Sequence, residues 1–279
     1  MEHTLTRIRN LYTTLGRGEK KIADWLLEHP ADLISLSISE VAAICGCGDA
    51  TVIRFSKRLG LSGYQELKIK IARELGNNIT GNLSFAKDDT VMDIYNKHIT
   101  DIKITLDDTR QHLNPEALEK AAIALVNAKS ISIIGLGNSA PIAQDAAHKF
   151  LRAGLPASAY SDNHMQMIVT SHLGPGDVVL AVTHSGSSLD IITAMEQAKS
   201  RGSTTICITN HGKSPVLKYC DYPLFTNAQE TKYSILAMTS RIAQLAIIDT
   251  LYTYIVLNGG EAIFNAIHST ESALESKKY

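Results

Sequence analysis

Asp177-Val-Val-Leu-Ala-Val-Thr183-His184-Ser185-Gly186-Ser187-Ser188 is an apolar run that stops abruptly in a cluster of hydroxyls and one glycine. Gly174-Pro175-Gly176 bounds it upstream. A short apolar run between such breaks reads as a parallel strand buried on both faces. The residues that follow, Leu189-Asp-Ile191-Ile192-Thr-Ala-Met195-Glu-Gln-Ala198, repeat apolar side chains at helical spacing. A strand that feeds a helix through serines and a glycine leaves unpaired backbone N–H groups, the positive end of a helix dipole and several short hydroxyls near one point, a combination suited to a phosphate. The same residues would also make an ordinary strand-to-helix turn capped by Ser188, and this loop alone leaves both readings open.

Upstream, Ile131-Ser-Ile-Ile-Gly135-Leu136-Gly137-Asn138-Ser139-Ala140 repeats the form, a strand ending in a glycine-rich turn before a helix over 141–152. Strand-like segments recur at 157–161, 204–209 and 222–226, with helical patterns between them, and a long helix is predicted from about residue 234 to 257. Such alternation predicts an α/β domain with a doubly wound, flavodoxin-like parallel sheet of about five strands. With strand order 2-1-3-4-5 the order reverses between the first and third strands, and ligands bind in the crevice there. The loops 135–140 and 183–188 leave those two strands. Their hydroxyls at Ser139, Ser185 and Ser188, with the amides of Gly186, Ser187 and Ser188, are therefore expected to surround a phosphate without a lysine. Gly135-Leu-Gly137-Asn-Ser-Ala140 also matches the dinucleotide fingerprint G-x-G-x-x-A, with Asp162 near the end of the second strand as its acid. That reading has no role for the second, serine-rich loop, so no cofactor is expected.

The chain has 279 residues, more than one ordinary domain, which predicts a large domain and a small one. The first 77 residues contain no strand-like run. Glu19-Lys-Lys-Ile22-Ala23-Asp-Trp25-Leu26-Leu27 carries an apolar stripe that stops at His29-Pro30. Ser39-Glu-Val41-Ala42-Ala43-Ile44 and Asp49-Ala50-Thr51-Val52-Ile53-Arg54-Phe55-Ser56-Lys57-Arg58-Leu59 are separated by a short turn through Gly46 and Gly48. Two short helices joined in this way are the sequence form of a helix-turn-helix. In the second, Val52, Phe55 and Leu59 share one face and Thr51, Arg54 and Arg58 another.

Net charge is about −1, so a nucleic-acid surface has to be a local patch, and one is present. From Arg54 to Arg73 there are six basic residues and one acid. Lys57, Arg58 and their basic neighbours would neutralise phosphates, while Thr51 and Arg54 would reach base edges of double-stranded operator DNA. A solvated helix face on a small bundle would account for the charge alone, but not for the helix-turn-helix spacing. Residues 78–90 are rich in glycine, asparagine, serine and acid and read as a linker. A connecting helix follows to residue 113, then Asn114-Pro115 as cap and first residue of a packing helix. The expected division is thus 1–77, 78–113 and 114–279. No apolar run approaches membrane-spanning length, and the first residues carry no secretory apolar segment, so a cytoplasmic protein without membrane contact is expected. Cys45, Cys47, Cys207 and Cys220 do not form a disulfide framework, and Cys45-Gly-Cys47 has no second Cys/His pair to make a metal site.

Leu36-Ser-Ile-Ser-Glu-Val-Ala-Ala-Ile followed by Ala50-Thr-Val-Ile-Arg-Phe-Ser-Lys-Arg-Leu-Gly60-Leu-Ser-Gly63-Tyr64-Gln-Glu-Leu67-Lys68 resembles the N-terminal domain of the RpiR family of bacterial transcriptional regulators. The family usually has serine where this chain has Gly48 ahead of its recognition helix; glycine is an acceptable cap, and Asp49 favours the helix start. The second half resembles the SIS (sugar isomerase) domain that this family carries. The resemblance implies that Thr183, His184, Ser185, Gly186, Ser187 and Ser188 bind a phosphorylated sugar or amino sugar, helped by Gly137, Asn138 and Ser139, and it makes Glu230 a candidate for contacts to sugar hydroxyls. The family more often has serine at Thr183 and threonine at Ser188, exchanges that keep both hydroxyls. It implies a non-enzymatic regulator of sugar-phosphate metabolism genes, a repressor first and an activator as the alternative, and paired half-sites make a homodimer or homotetramer the expected form. The competing reading is an aldose–ketose phosphate isomerase with a helical addition, using Glu230 or His184 to move a proton, in which the basic helix-turn-helix has no use.

Overall fold

The structure, a computed structural model, describes residues 4–75, 85–228 and 238–275. The chain divides into two compact units; the first break falls inside one helix, between Lys103 and Ile104, and the first unit also takes in Gly212–Ser214 and Met238 among the later described residues.

Among the described residues the N-terminal unit begins with the helices α1 (Thr4–Leu11), α2 (Arg17–Glu28), α3 (Ile38–Ile44), α4 (Asp49–Arg58) and α5 (Tyr64–Glu74). Ile8, Ile22, Leu26, Leu33, Val41, Val52, Phe55, Leu59, Leu67 and Ile71 are all fully buried and make one core. The apolar face predicted for α4 is therefore its packed face. Ser37 starts α3 with a capping box, its Oγ accepting the Glu40 amide while Glu40 Oε2 accepts the Ser37 amide. Gly48 caps α4 without a side chain, and Asp49, at the first helical position, accepts Ser39 Oγ across the turn at 2.7 Å.

Helix α6 (Val91–His112) contains the division between the units, and the predicted linker before it lies partly outside the described residues. In the second unit, α7 (Pro115–Val126) begins with Asn114 Oδ1 accepting the Ala117 amide and proline at the first position. Five parallel strands follow: β1 (Ser130–Gly135), β2 (Ala157–Tyr160), β3 (Asp177–Val182), β4 (Thr204–Asn210) and β5 (Tyr222–Thr226), in the order β2-β1-β3-β4-β5. They alternate with α8 (Ala140–Arg152), α9 (Asn163–His172) and α10 (Leu189–Ser200), and α11 (Met238–Asn258) and α12 (Gly260–Glu275) close the chain.

Strand side chains divide between the two faces with the period of two that a pleat imposes. Ile131, Ile133, Val178, Leu180, Val182, Ile206 and Ile208 pack with α7, α8, α11 and α12. Ile134, Val179, Ala181 and Cys207 pack with α10 on the other side. The sheet is doubly wound, as the alternation predicted. Residues 234–237 of the predicted last helix lie outside the described residues, and α12 corresponds to no sequence expectation. The chain bends by 112° between α11 and α12. It does so at Gly259-Gly260: a Cβ on Gly259 would lie 2.1 Å from Ile263 Cγ1, and Gly260 has φ +68°. Among the described residues no single helix is long and apolar enough to cross a membrane.

Asp221 anchors the start of β5 to β4. Burial works against its charge, but the Lys199 ammonium and the amide and hydroxyl of Thr205 outweigh it and hold its carboxyl below the ordinary 3.8.

Candidate functional site

Strand pairing puts the two polar loops side by side. Gly135 is the register partner of Val182, so residues 136–140 and 183–188 leave adjacent parallel strands at the same edge, where the strand order reverses. Gly135 has to be glycine, since a Cβ there would lie 2.9 Å from the Ser139 carbonyl oxygen. Gly137 (φ +55°) turns the chain into the short 3-10 segment Gly137–Ser139, with Gly137 and Asn138 exposed. Ser139 is the N-cap of α8 and Ser188 the N-cap of α10, and neither makes a side-chain cap hydrogen bond. Two helix N-termini thus stand at one edge with cap hydroxyls not used on their own helices.

The loop between β3 and α10 is braced from several sides. Thr183 is buried; its amide donates to Ile208 O (3.0 Å), its carbonyl accepts Gln244 Nε2 (3.3 Å), and its Oγ1 accepts the Gly186 amide (3.3 Å). Ser185 Oγ accepts the Ser187 amide at 3.3 Å, and Ser187 Oγ donates to Ser185 O. Gly186 sits at φ +61° with its carbonyl held by the Val216 amide. Two of the three amides expected to meet an anion are therefore closed onto hydroxyls of the loop itself, through bonds at the long end of the range.

His184 belongs to a chain of polar groups that passes through the buried Ser240 and Thr226. Ala228 N–H can only donate, so it fixes Asn210 Oδ1 as its acceptor (2.8 Å), while Asn210 Nδ2 donates to Ala228 O (3.0 Å). Thr226 Oγ1 donates to the same Asn210 oxygen (3.2 Å) and stands 3.4 Å from Ser240 Oγ, which in turn lies 3.1 Å from His184 Nδ1. Asn210, Thr226 and Ser240 carried no sequence signal, because each is brought to His184 only by the fold. Glu230 lies outside the described residues. Asp162, the acid of the dinucleotide reading, caps α9 instead, its Oδ1 accepting the Met165 amide at 2.9 Å.

In the N-terminal unit Thr51, Arg54, Lys57 and Arg58 lie on the side of α4 away from the core, with exposed Ile53 among them. A hollow of about 410 Å³ is lined by Thr51, Arg54, Arg58, Glu19, Gly16 and Gly18. Arg54 reaches Thr51 Oγ1 at 3.4 Å. Arg58 is engaged within the unit, donating to Glu19 Oε2 (3.0 Å) and to Thr14 O (2.7 Å). Lys68 corrects the reading of the basic run as a set of phosphate neutralisers: it is 3% exposed, and its ammonium donates to the Leu36 carbonyl at 3.1 Å, beside the Tyr64 hydroxyl on the same oxygen.

A family model described as helix-turn-helix domain, rpiR family, matches residues 2–78, and one described as SIS domain matches residues 124–254. The chain is 37% identical over 281 residues to an HTH-type transcriptional regulator of Caldanaerobacter subterraneus subsp. tengcongensis, covering 100% of this chain and 99% of the relative. It is 33% identical over 281 residues to one of Thermotoga maritima, covering 99% of each. Among solved structures, the Vibrio vulnificus NanR protein complexed with ManNAc-6P has the same fold, with a TM-score of 0.79 over 99% of both chains at 22% identity.

Proposed function

The chain belongs to the rpiR family of helix-turn-helix transcriptional regulators that carry a SIS domain, and from that premise we propose that it is a repressor of sugar- or amino-sugar-phosphate metabolism genes, controlled by a phosphorylated sugar held between loops 136–140 and 183–188. Residues 1–77 would bind operator DNA, 78–113 would connect, and 114–279 would bind the effector. The observation that carries the effector reading is the Gly135–Val182 pairing, which sets two helix N-termini with unspent cap hydroxyls side by side. An arriving phosphate would take the Gly186 and Ser187 amides from Thr183 and Ser185, whose 3.3 Å bonds are easily exchanged for charge-assisted ones. Ser139, Ser185 and Ser188 would add hydroxyl donors, Gly137 and Asn138 would close the phosphate from the β1 side, and His184 and Glu230 would face the sugar. That NanR is complexed with ManNAc-6P makes an N-acetylhexosamine 6-phosphate the first compound to try.

On the DNA side Thr51 and Arg54 would read base edges and Lys57 would contact phosphate. Arg58 would contact phosphate from a position already fixed by Glu19. The protein would act as a homodimer or homotetramer, since paired recognition helices match paired half-sites, and it would leave the sugar chemically unchanged. A thermal-shift screen against phosphorylated and unphosphorylated hexoses and amino sugars tests the effector reading. Saturation at a hundred times Kd adds roughly 2.7 kcal/mol, a rise of about 5 °C or more for a domain of this size. The expected result is a shift from one sugar phosphate that is lost in Ser185→Ala; turnover of that compound would favour the isomerase reading instead.

A further inference from the structure

The bonds that fasten the loop between β3 and α10 continue past the sheet. Two routes leave His184. Its carbonyl accepts the Asn210 amide (2.9 Å) and Thr209 Oγ1 (3.1 Å), and its ring reaches Asn210 through Ser240 and Thr226. Both routes end on Asn210, which holds the residues on either side of Asn227: Thr226 by its hydroxyl, Ala228 by both backbone groups. Asn227 is thus a one-residue arch with both ends clamped. Its own amide does not pair with the sheet; it donates to Thr109 Oγ1 on α6 at 3.0 Å. One turn further along α6, the His112 ring stands 3.4 Å from the Asn227 side-chain amide and 4.7 Å, centroid to centroid, from His211, the residue after Asn210.

Thr226, Ser240 and Thr209 are fully buried and Thr109 is 5% exposed. Breaking one of the links at these residues would leave a buried donor or acceptor unpaired, a cost that opposes moving one member without the others. The helix at its far end is the one inside which the two units divide.

Resting on the reading that a sugar phosphate occupies the 183–188 loop, we propose that the Thr109–Asn227 hydrogen bond is the coupling point through which occupancy of that loop is passed to α6. A phosphate that draws the loop amides outward moves His184; His184 moves Asn210 and Thr226, and the Asn227 arch moves with them against α6. Thr109 and Asn227 are positioning residues in this scheme and contact neither ligand. Coupling of this kind needs an element whose state both sites bias, and the C-terminal part of α6 is that element.

Hydrogen exchange followed by mass spectrometry on the full chain tests this, with N-acetylmannosamine 6-phosphate, glucosamine 6-phosphate, glucose 6-phosphate and inorganic phosphate as probes. In the parent protein, the probe that protects 183–188 should change the exchange rate of amides in 104–113 by about fivefold or more, the lower end of ordinary allosteric coupling. Thr109→Val keeps the shape and removes the acceptor. It should abolish the response in 104–113 while leaving the probe's Kd within about threefold, and Thr109→Ser should restore it, which a purely structural role for the methyl group would not produce. A response that persists in Thr109→Val, or a parent whose 183–188 is protected with no change in 104–113, overturns the coupling point and leaves the effector reading standing. If no probe protects 183–188, the effector reading falls and the coupling point falls with it.

Discussion

Lys68 and Lys57 are both lysines on a basic stretch of helix, and the fold gives them opposite uses. Lys57 is exposed on α4, whereas Lys68 is buried with its ammonium on the Leu36 carbonyl. Lys57→Ala should lower the salt dependence of operator binding by about one released counterion per site, whereas Lys68→Met should lower the melting temperature and leave the salt slope unchanged. Fluorescence anisotropy over a salt series and a melting curve separate the two. Arg54→Ala should cost about tenfold or more in operator affinity and relax preference at one base position, the loss expected for a bidentate base contact. Asp221 carries a pH prediction. Its folded carboxyl titrates below the ordinary 3.8, so its contribution is complete above that value and is lost as pH falls through the lower, folded one. The melting-temperature gap between parent and Asp221→Asn should be full at neutral pH and close only below pH 3.8. A gap that closes already between pH 7 and 5 would contradict this.

At the scale of elements, the chain was legible wherever burial alone decides structure. Short, largely apolar runs became β1, β3 and β4, because a strand covered on both faces buries nearly every side chain it carries. The i, i+3, i+7 spacing of Val52, Phe55 and Leu59 placed the core face of α4 correctly, because helical period and burial coincide there. What was not legible depends on partners distant in sequence. Arg58 reads as a free cation until Glu19 and Thr14 are set beside it, and nothing in Thr109 or Asn227, 118 residues apart, announces their bond. Helix α12 was missed because its apolar face is narrow: Ile263 is buried, but Phe264 is 73% exposed. The turn after β1 offers an element-scale test. Gly135→Ala would press a Cβ against the Ser139 carbonyl, so it should weaken sugar-phosphate binding by displacing the α8 N-terminus while leaving operator binding without sugar intact. Titration calorimetry and anisotropy on the same variant check both halves.

For the whole molecule, a regulator of this family has to make two affinities depend on one another. A sugar phosphate changes operator binding only by the difference in its affinity for the two states of the protein, and the operator changes sugar binding by the same factor. The hydrogen-bonded chain from His184 to Thr109 is the proposed carrier of that factor, with the recognition face of α4 and the serine loops as its two ends. The most direct test is operator affinity measured by anisotropy with and without saturating sugar phosphate, on DNA selected from random sequence, for the parent and Ser185→Ala. The account predicts a change of about tenfold or more in the parent, absent in Ser185→Ala, whose sugar-free affinity stays at the parent value. Operator affinity that is the same with every sugar phosphate at saturation would contradict it.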